Sequence, residues 1–395
     1  MVNQNLKADT LALHRMHRGK IEVTSKLPVD TAEELSLVYT PGVAEICREI
    51  AAHPEEADNL TSKGNMVAVV TDGTAVLGLG DIGPKAALPV MEGKSLLFKK
   101  FAGVDAFPIC LDTKDPKEII SIVKALAPTF SGINLEDISA PRCFEIEEQL
   151  KKDLDIPVFH DDQHGTAIVV LAGLINALKL TGKSKESTKV VINGAGAAGI
   201  AIADLLLYAG FRDLTLVSIE GVIAEGADWL NDKQRELSLK TNHRKVQGGL
   251  DDVIDHADIF IGVSAPDLLK APQVKRMNED PIIFAMANPV PEIYPDVAKA
   301  AGAAVVGTGR SDFPNQINNV LAFPGIFKGA LNKRVRNITQ DMKVAAAEGI
   351  ARVITDDQLS PDYVIPGALD QTVTDAVAKA VEDSVIENKE PLAQC

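Results

Sequence analysis

The stretch KVVINGAGAAGIAIADLLLYAG, residues 189–210, decides the fold of the second half of this chain. It contains a short apolar strand, then a glycine-rich turn, then an apolar helix. The turn carries Gly194, Gly196 and Gly199 in GxGxxG spacing. In this spacing the first glycine allows the tight turn, the second lets backbone approach a pyrophosphate, and the third lets the helix pack closely on the strand. Because the helix N-terminus also attracts phosphate groups, the stretch predicts a dinucleotide-binding site.

The predicted cofactor-binding residues lie in this turn and at the end of the following strand. The turn contributes Gly194, Ala195, Gly196, Ala197, Ala198 and Gly199. In the next strand, 214–219, Ser218 stands near the end, where an acidic residue usually holds the ribose 2′-hydroxyl, and Glu220 follows it. Glu220 could bind a free ribose, whereas Ser218 would not repel a 2′-phosphate. The sequence therefore leaves NAD and NADP both open.

Short apolar segments alternate with glycine turns and helical segments along most of the chain. We predict strands at 66–73, 75–83, 106–112, 132–137, 156–162, 189–193, 214–219, 258–264, 281–287 and 303–309. The helical segments between them indicate βαβ units with buried parallel strands. A length of 395 residues fits two domains. We expect an α/β protein with an N-terminal α/β domain over 1–160 and a doubly wound, Rossmann-type NAD(P)-binding domain with C-terminal helices over 161–395.

Composition excludes several classes of protein. The formal net charge is −15 without a basic run, so nucleic acid would be repelled. The four cysteines, Cys47, Cys110, Cys143 and Cys395, form no CxxC pair and suit a reducing compartment. The N-terminus lacks the apolar run of a signal peptide, and the apolar stretches elsewhere are too short to span a bilayer. We expect a cytoplasmic protein that binds neither nucleic acid nor membrane.

Two pairs of adjacent acids each follow a short apolar strand. Glu136 precedes Asp137 in GINLEDIS, and Asp161 precedes Asp162 in FHDDQHGTA. Acids at the carboxyl ends of parallel strands lie at the crevice where α/β proteins bind ligands. Oxygen ligands of this kind suit Mg²⁺ or Mn²⁺. Two pairs at equivalent strand ends favour such a metal over solvated loop charge, and the nearby His160 and His164 lack the third ligand that zinc requires.

Candidates for an acid and a base are less distinct. Lys94 follows a glycine loop and could enter an anionic site as a base, but Lys85, Lys99 and Lys100 have comparable spacing. Tyr39 precedes a proline turn and a helix, which would project its hydroxyl from a fixed backbone. A tyrosine at such a position more often serves packing. Spacing alone does not choose among these residues.

Taken together, the motifs resemble the malic enzyme family, the metal-dependent oxidative decarboxylases of malate, in its short bacterial form. Several blocks in order over nearly the whole chain carry the resemblance. They are GKIEV at 19–23, VYTPGVAEIC at 38–47, VTDGTAVLGLGDIGP at 70–84, GKSLLFKKFAGVDAFPICLDT at 93–113, INLEDISAPRCFEIE at 133–147, FHDDQHGTA at 159–167, INGAGAAG at 192–199, MANPVPEI at 286–293 and FPNQINNVLAFPG at 313–325.

The resemblance implies a role for each candidate. It makes Tyr39 the general acid that protonates the enol and Lys94 the general base that takes the hydroxyl proton of malate. The implied metal ligands are Glu136, Asp137 and Asp162, with Asp161 in a supporting role. The amides implied to hold substrate and cofactor are Asn288, Asn318 and Asn319. The family also implies a homodimer, NAD or NADP as cofactor and Mg²⁺ or Mn²⁺ as metal.

In the implied reaction, malate binds the metal through its hydroxyl and one carboxylate, hydride leaves C2, and the enolate formed on loss of CO₂ is protonated to pyruvate. The chain departs from the family pattern at three places. Thr74 and Ala75 stand where larger members carry an arginine for the substrate carboxylate, His164 stands where relatives often have glutamine, and Ser218 replaces a common aspartate.

Four other functions remain open on the sequence. Ser218 keeps open a metal-dependent oxaloacetate decarboxylase on the same fold, which would transfer no hydride. A malolactic-type enzyme would keep NAD bound and release lactate. A nucleotide sensor would need neither acid nor base, and an amino-acid dehydrogenase would not need two acid pairs. The complete set of acid, base and metal candidates therefore favours a malic enzyme.

Overall fold

The computed structural model describes residues 4–387, so Cys395 lies outside the described residues. Sixteen α-helices and ten β-strands are present in this range. The helices are α1 Gln4–His17, α2 Ala32–Val38, α3 Val43–Ala52, α4 Ala57–Leu60, α5 Pro84–Leu97, α6 Pro116–Leu126, α7 Arg142–Asp153, α8 Asp161–Thr181, α9 Ala197–Tyr208, α10 Asp232–Ser238, α11 Leu250–Val253, α12 Ala271–Val274, α13 Pro295–Ala300, α14 Phe323–Asn332, α15 Gln340–Ala351 and α16 Gln371–Glu387.

The strands form two separate sheets. They are β1 Met66–Thr71, β2 Asp105–Cys110, β3 Gly132–Leu135, β4 Val158–His160, β5 Lys189–Asn193, β6 Asp213–Ser218, β7 Gly221–Val222, β8 Ile259–Gly262, β9 Ile282–Ala285 and β10 Val305–Thr308. Apolar, β-branched residues dominate these segments, and most of their residues are buried, as expected for strands covered on both faces.

The first sheet has the order β2-β1-β3-β4 and is entirely parallel. The chain moves from β1 outward to β2 and then returns to the other side of β1 to form β3. This reversal creates a crevice at the carboxyl ends of β1 and β3, the usual place for a ligand in an open parallel sheet. Both predicted acid pairs follow strands of this sheet, after β3 and after β4.

The second sheet has the order β10-β9-β8-β5-β6-β7, and only the short β7 is antiparallel to its neighbour. The chain again reverses direction beside β5, so a second crevice opens at the carboxyl ends of β5 and β8. The glycine-rich turn lies there, between β5 and α9. The predicted α/β fold with two parallel sheets is confirmed.

Two predicted elements differ from the structure. The segment 75–83 is a glycine-rich loop with one isolated bridge between Val76 and Gly80, and it is not a strand. Its glycines at positive φ, such as Gly78 at 74°, turn the backbone away from an extended path. The strand predicted over 156–162 ends at His160, because helix α8 begins at Asp161 with a polar first turn.

The longest helix, α8, links the two sheets. It is the one helix in the described range that is long and apolar enough to cross a bilayer, but 67% of its apolar stretch is buried inside the protein. It packs against α9 and α15, and α15 and α14 pack against α16. The rings of Phe98, Phe159, Phe323 and Phe327 join the first sheet's helices and strands to α14 in a continuous aromatic cluster. The C-terminal helices therefore pack back against the first part of the chain.

Candidate active site

Lys94 lies in a buried ion-pair network at the mouth of the first sheet. It is in the last turn of α5, and only 7% of the residue is exposed. Its Nζ donates to Asp161 Oδ2 at 2.5 Å and lies 2.9 Å from Glu136 Oε1. The ring of Phe323 covers the ammonium group, with its centroid 4.1 Å from Nζ. Of the four candidate lysines, Lys94 is the one that the structure places among the predicted acids.

The contact between Lys94 and Asp161 depends on a glycine in α8. A Cβ atom added at Gly165 would lie 1.9 Å from Asp161 Oδ1. The same added atom would lie 3.1 Å from the side chain of Asn319, which therefore lies beside Asp161. The first turn of α8, the glycine and Asn319 together hold the Asp161 carboxylate against the lysine.

Three predicted metal ligands converge beside this network. Each of Glu136, Asp137 and Asp162 offers a carboxylate oxygen, and these oxygens lie within 4.8 Å of one another. Asp137 takes up the left-handed backbone conformation, with φ of 54°, and its amide donates to Asp162 Oδ2 at 2.7 Å. This conformation is uncommon for a residue with a side chain, and an aspartate tolerates it better than most. It turns the chain after β3 so that both acids of this pair face Asp162.

Burial and mutual repulsion raise the pKa of every acid in the cluster. Burial is the larger cause for Asp137, whose pKa rises to about 9, and the charge of Asp162 adds to it. Burial raises the pKa of Asp161 to about 7 and of Asp162 to about 6; the charge of Lys94 opposes the rise, and a neighbouring acid adds to it. The pKa of Glu136 is also raised by burial, although Lys94 opposes the rise. A cation would relieve this repulsion, and Asp137 Oδ2 is buried without a hydrogen-bond partner, as a ligand atom would be.

Burial and the surrounding acids act on Lys94 in opposite directions. Burial alone would lower its pKa, but the carboxylates of Asp161 and Glu136 outweigh burial and raise it above its ordinary value. Lys94 is therefore an ammonium group as long as both carboxylates face it.

Each of the three glycines in the glycine-rich turn has surroundings that fit the role predicted for it. Gly194 has φ of 121°, and an added Cβ would lie 2.6 Å from the carbonyl oxygen of Val263, the residue after β8. An added Cβ at Gly199 would lie 1.7 Å from the carbonyl oxygen of Gly194. At Gly196 an added Cβ would meet no atom within 4 Å, so this side of the turn is open. No side chain caps the N-terminus of α9, which leaves its first amides available to a phosphate.

The other predicted cofactor and substrate residues lie near the two crevices. Ser218 is the last residue of β6, and its hydroxyl donates a short hydrogen bond to the carboxylate of Glu220. Asn288 follows β9, and an added Cβ at Gly78 of the first domain's loop would lie 3.6 Å from its carbonyl oxygen. Asn318 is occupied locally, because its side chain accepts from the amide of Val320.

Tyr39 is not part of the buried network. It directly follows α2, 66% of it is exposed, and its hydroxyl makes no hydrogen bond within the described residues. Helices α1 to α3 around it leave many apolar side chains on the surface, among them Leu37, which is 70% exposed. The single chain therefore presents its candidate acid on an apolar surface.

Sequence reasoning did not identify three polar residues near the site. The amide of Asn134 donates to Glu136 Oε2 at 2.8 Å. The guanidinium of Arg142 donates to Thr74 Oγ1 at 3.0 Å and pairs with Asp72, so an arginine does stand beside the Thr74 position. Glu147 is buried and receives hydrogen bonds from the start of α8. None of the three belongs to an acid pair at the end of a strand, which was the signal that identified the four acids of the site.

Two family models match this chain. The malic enzyme N-terminal domain matches residues 18–151, and the malic enzyme NAD-binding domain matches residues 163–386. The bifunctional malic/malolactic enzyme of Bacillus subtilis is 59% identical over 384 residues, which cover 97% of this chain and 94% of that protein. The NAD-dependent malic enzyme of Geobacillus stearothermophilus is 60% identical over 366 residues, covering 93% and 76% of the two chains.

Solved structures agree with the sequence relatives. The crystal structure of the NAD-dependent malic enzyme from Thermotoga maritima superposes with a TM-score of 0.92 at 51% identity, covering 95% of this chain and 99% of that one. The malic enzyme from Pyrococcus horikoshii superposes with the same TM-score at 47% identity, covering 97% and 91%. Because the two family models together match most of the chain and these relatives align over nearly all of it, the chain belongs to the malic enzyme family.

Proposed function

We propose that this chain catalyses the oxidative decarboxylation of (S)-malate to pyruvate and CO₂, with reduction of NAD or NADP. The observation that carries the proposal is the contact of a buried lysine, Lys94, with a three-carboxylate cluster at the mouth of the first sheet. The open glycine turn of the second sheet supports it, as does membership of the malic enzyme family.

We propose Glu136, Asp137 and Asp162 as the ligands of Mg²⁺ or Mn²⁺. Three carboxylates within 4.8 Å of one another match the oxygen ligands that these ions prefer. When bound, such an ion supplies Lewis-acid polarisation of the substrate oxygens, and a bound nicotinamide supplies the hydride acceptor. Asp161 keeps its supporting role, since its carboxylate contacts Lys94 directly.

Lys94 is the general base in this proposal. It must be neutral to take the hydroxyl proton of malate, yet Asp161 and Glu136 hold it as an ammonium group. When Glu136 serves as a metal ligand, less of its charge acts on the lysine, and the pKa of Lys94 falls toward the range of a base. The enclosing ring of Phe323 excludes water from one side of the amine.

Tyr39 is the general acid that protonates the enol at C3, and a homodimer accounts for its exposed position. Helices α1 to α3 leave several large apolar side chains exposed, and a cluster of exposed apolar side chains commonly marks an interaction site. A second copy of the chain on this surface would bury Tyr39 and exclude water from it.

Light scattering of Leu37→Glu tests the dimer. Leu369→Glu is the matched control, because Leu369 is 82% exposed on another part of the chain. A Leu37→Glu variant with the mass of the unchanged protein would contradict this surface.

The cofactor and substrate assignments rest on the two crevices. The turn from Gly194 to Gly199 is proposed to hold the pyrophosphate, and Glu220, which accepts a hydrogen bond from Ser218, is proposed to bind the adenine ribose. Asn288, Asn318 and Asn319 bind substrate or cofactor amide and carboxylate groups. We further propose a domain boundary between 1–160 and 161–395, which the presence of two separate sheets supports. We also propose a cytoplasmic location, consistent with the burial of α8 inside the protein.

A malolactic reaction is the second candidate, because a relative at 59% identity is named a bifunctional malic/malolactic enzyme. In that reaction the reduced nicotinamide returns its hydride and lactate leaves. Incubation of the protein with malate, Mn²⁺ and NAD or NADP, followed by separate assays for pyruvate and lactate, tests the main proposal. Pyruvate with reduced cofactor supports it, and lactate alone would replace it with the second candidate.

A further inference from the structure

Glu147 in α7 is a buried acid that belongs to neither predicted pair. It is 4% exposed, and its carboxylate is surrounded by donors from the start of α8. Its Oε1 accepts from the amide of His160 at 3.3 Å and lies 2.7 Å from His164 Nε2. Its Oε2 accepts from Gln163 Nε2 at 3.2 Å. Lys151, one turn further along α7, lies 2.5 Å from Oε1.

These contacts define which groups around Glu147 are charged and which of them donate or accept hydrogen bonds. Burial would raise the pKa of Glu147, but His164 and Lys151 outweigh it and hold the pKa well below its usual range, so the group is a carboxylate. A carboxylate only accepts, and therefore His164 donates through Nε2. Its other nitrogen, Nδ1, lies 3.0 Å from Lys343 Nζ of α15, which can donate to it. Glu147 is thus the shared acceptor of an ordered network.

The same helical turn carries the groups of the proposed active site on its other side. Asp161 contacts Lys94 at 2.5 Å, and Asp162 accepts from the amide of Asp137 at 2.7 Å. His160, Gln163 and His164 flank these two adjacent acids in sequence and face Glu147. A shift of the first turn of α8 toward or away from α7 would therefore move both acids relative to the lysine and the other metal ligands.

We infer that Glu147 is a positioning residue for the reaction: through the start of α8 it sets where Asp161 meets Lys94 and where Asp162 meets the metal. This inference rests on the proposed function of the acid cluster. Groups that orient metal ligands from behind typically change metal affinity or activity by about 10 to 100-fold when they are replaced.

Substitution of Glu147 by glutamine keeps the size of the side chain and replaces one acceptor oxygen by a donor. That donor would face the amide of His160, the amide of Gln163 or the imidazole of His164, and the helical turn must shift to separate them. The expected results are Mn²⁺ binding weaker by about 10-fold or more and a lower kcat at saturating Mn²⁺ and malate. Mn²⁺ binding is measured by electron paramagnetic resonance on the full chain, together with Tm.

Matched variants separate positioning from general damage. Glu148→Gln alters the next residue of α7, whose carboxylate pairs with Lys233 and is 48% exposed, and it should keep wild-type Mn²⁺ affinity. His164→Gln retains a neutral donor toward Glu147 and should restore most of the activity that His164→Ala loses. If Glu147→Gln does not fold, Gln163→Leu removes a single donor and should still weaken Mn²⁺ binding.

The outcomes distinguish this inference from the proposed function. A folded Glu147→Gln protein with unchanged Mn²⁺ affinity and kcat would overturn the positioning role while leaving the proposed function intact, and unchanged Mn²⁺ affinity in Gln163→Leu would do the same. A wild-type protein that binds no Mn²⁺ would refute the metal site itself. Weaker Mn²⁺ binding in Glu147→Gln, with Glu148→Gln unaffected, supports the inference.

Discussion

Lys94 Nζ donates a hydrogen bond of 2.5 Å to Asp161 Oδ2, although the two residues are 67 positions apart in the chain. The contact joins the last turn of α5 to the first turn of α8 inside a buried site. In the proposed reaction Lys94 moves the hydroxyl proton, so Lys94→Ala should lower kcat by about 10²-fold or more. Steady-state kinetics with malate and saturating Mn²⁺ measures this change.

Lys99 provides the control for that substitution. It was an equal candidate on spacing, but it is exposed and pairs with Asp105 at 2.7 Å, away from the acid cluster. Lys99→Ala should leave kcat near the wild-type value. Equal losses in the two variants would show that Lys94 has no special role.

Metal binding should depend on the unpartnered oxygen of Asp137. Asp137→Asn leaves the size of the side chain unchanged but prevents it from becoming a carboxylate when a cation binds. Because the remaining ligands are then Glu136 and Asp162, Mn²⁺ should bind at least about 10-fold more weakly, and a chelator should abolish turnover of the wild-type protein. Calorimetric titration with Mn²⁺ measures the change, with Asp81→Asn, on the exposed loop, as control. Turnover that survives exhaustive chelation would contradict a metal-dependent reaction.

The glycine turn offers a contrast between two single substitutions. Gly196→Ala adds a methyl group to open space, so Tm should stay near the wild-type value while the Kd for NAD or NADP rises, because the methyl group occupies the path of the pyrophosphate. Gly199→Ala places a methyl group against the carbonyl of Gly194, so Tm should fall. Thermal unfolding with fluorescence titration of reduced cofactor measures both effects. Unchanged cofactor affinity in Gly196→Ala would show that the pyrophosphate does not bind at this turn.

Lys343 should make stability depend on pH. Burial is the main cause that lowers its pKa to about 7, whereas an unfolded lysine titrates near pH 10.4. Between these values the unfolded chain binds more protons, so stability rises with pH. The Tm of the wild-type protein should therefore rise relative to that of Lys343→Met as pH increases from about 7 to about 9. Lys379→Met, at an exposed lysine whose pKa is raised, should show no such trend.

Sequence reasoning predicted the fold because strand periodicity and glycine turns are local signals. The run that forms β5, the turn at Gly194 and the start of α9 are adjacent in the chain, and no distant contact is needed to interpret them. The same reasoning failed at 75–83, where apolar residues resemble a strand but glycines at positive φ form a loop. Apolar composition alone does not separate these two cases.

The site was only partly predictable, because some of its residues meet through contacts between distant parts of the chain. The acid pairs at Glu136 and Asp161 follow strands directly, so parallel topology brings them together. Selecting Lys94 from its neighbours required either a family resemblance or the three-dimensional contact with Asp161. Glu147 lies in mid-helix, and nothing in the sequence around it indicates that its carboxylate receives bonds from a segment 13 positions later.

In the proposed reaction, one active site couples hydride transfer to loss of CO₂. Malate isotopically labelled in the carboxyl group that leaves allows labelled CO₂ and reduced cofactor to be counted in the same reaction, with Mn²⁺ and NAD or NADP present. We predict equal amounts of both products, and both formed about 10²-fold or more slowly by Lys94→Ala. Labelled CO₂ without reduced cofactor, or reduced cofactor without labelled CO₂, would contradict the account.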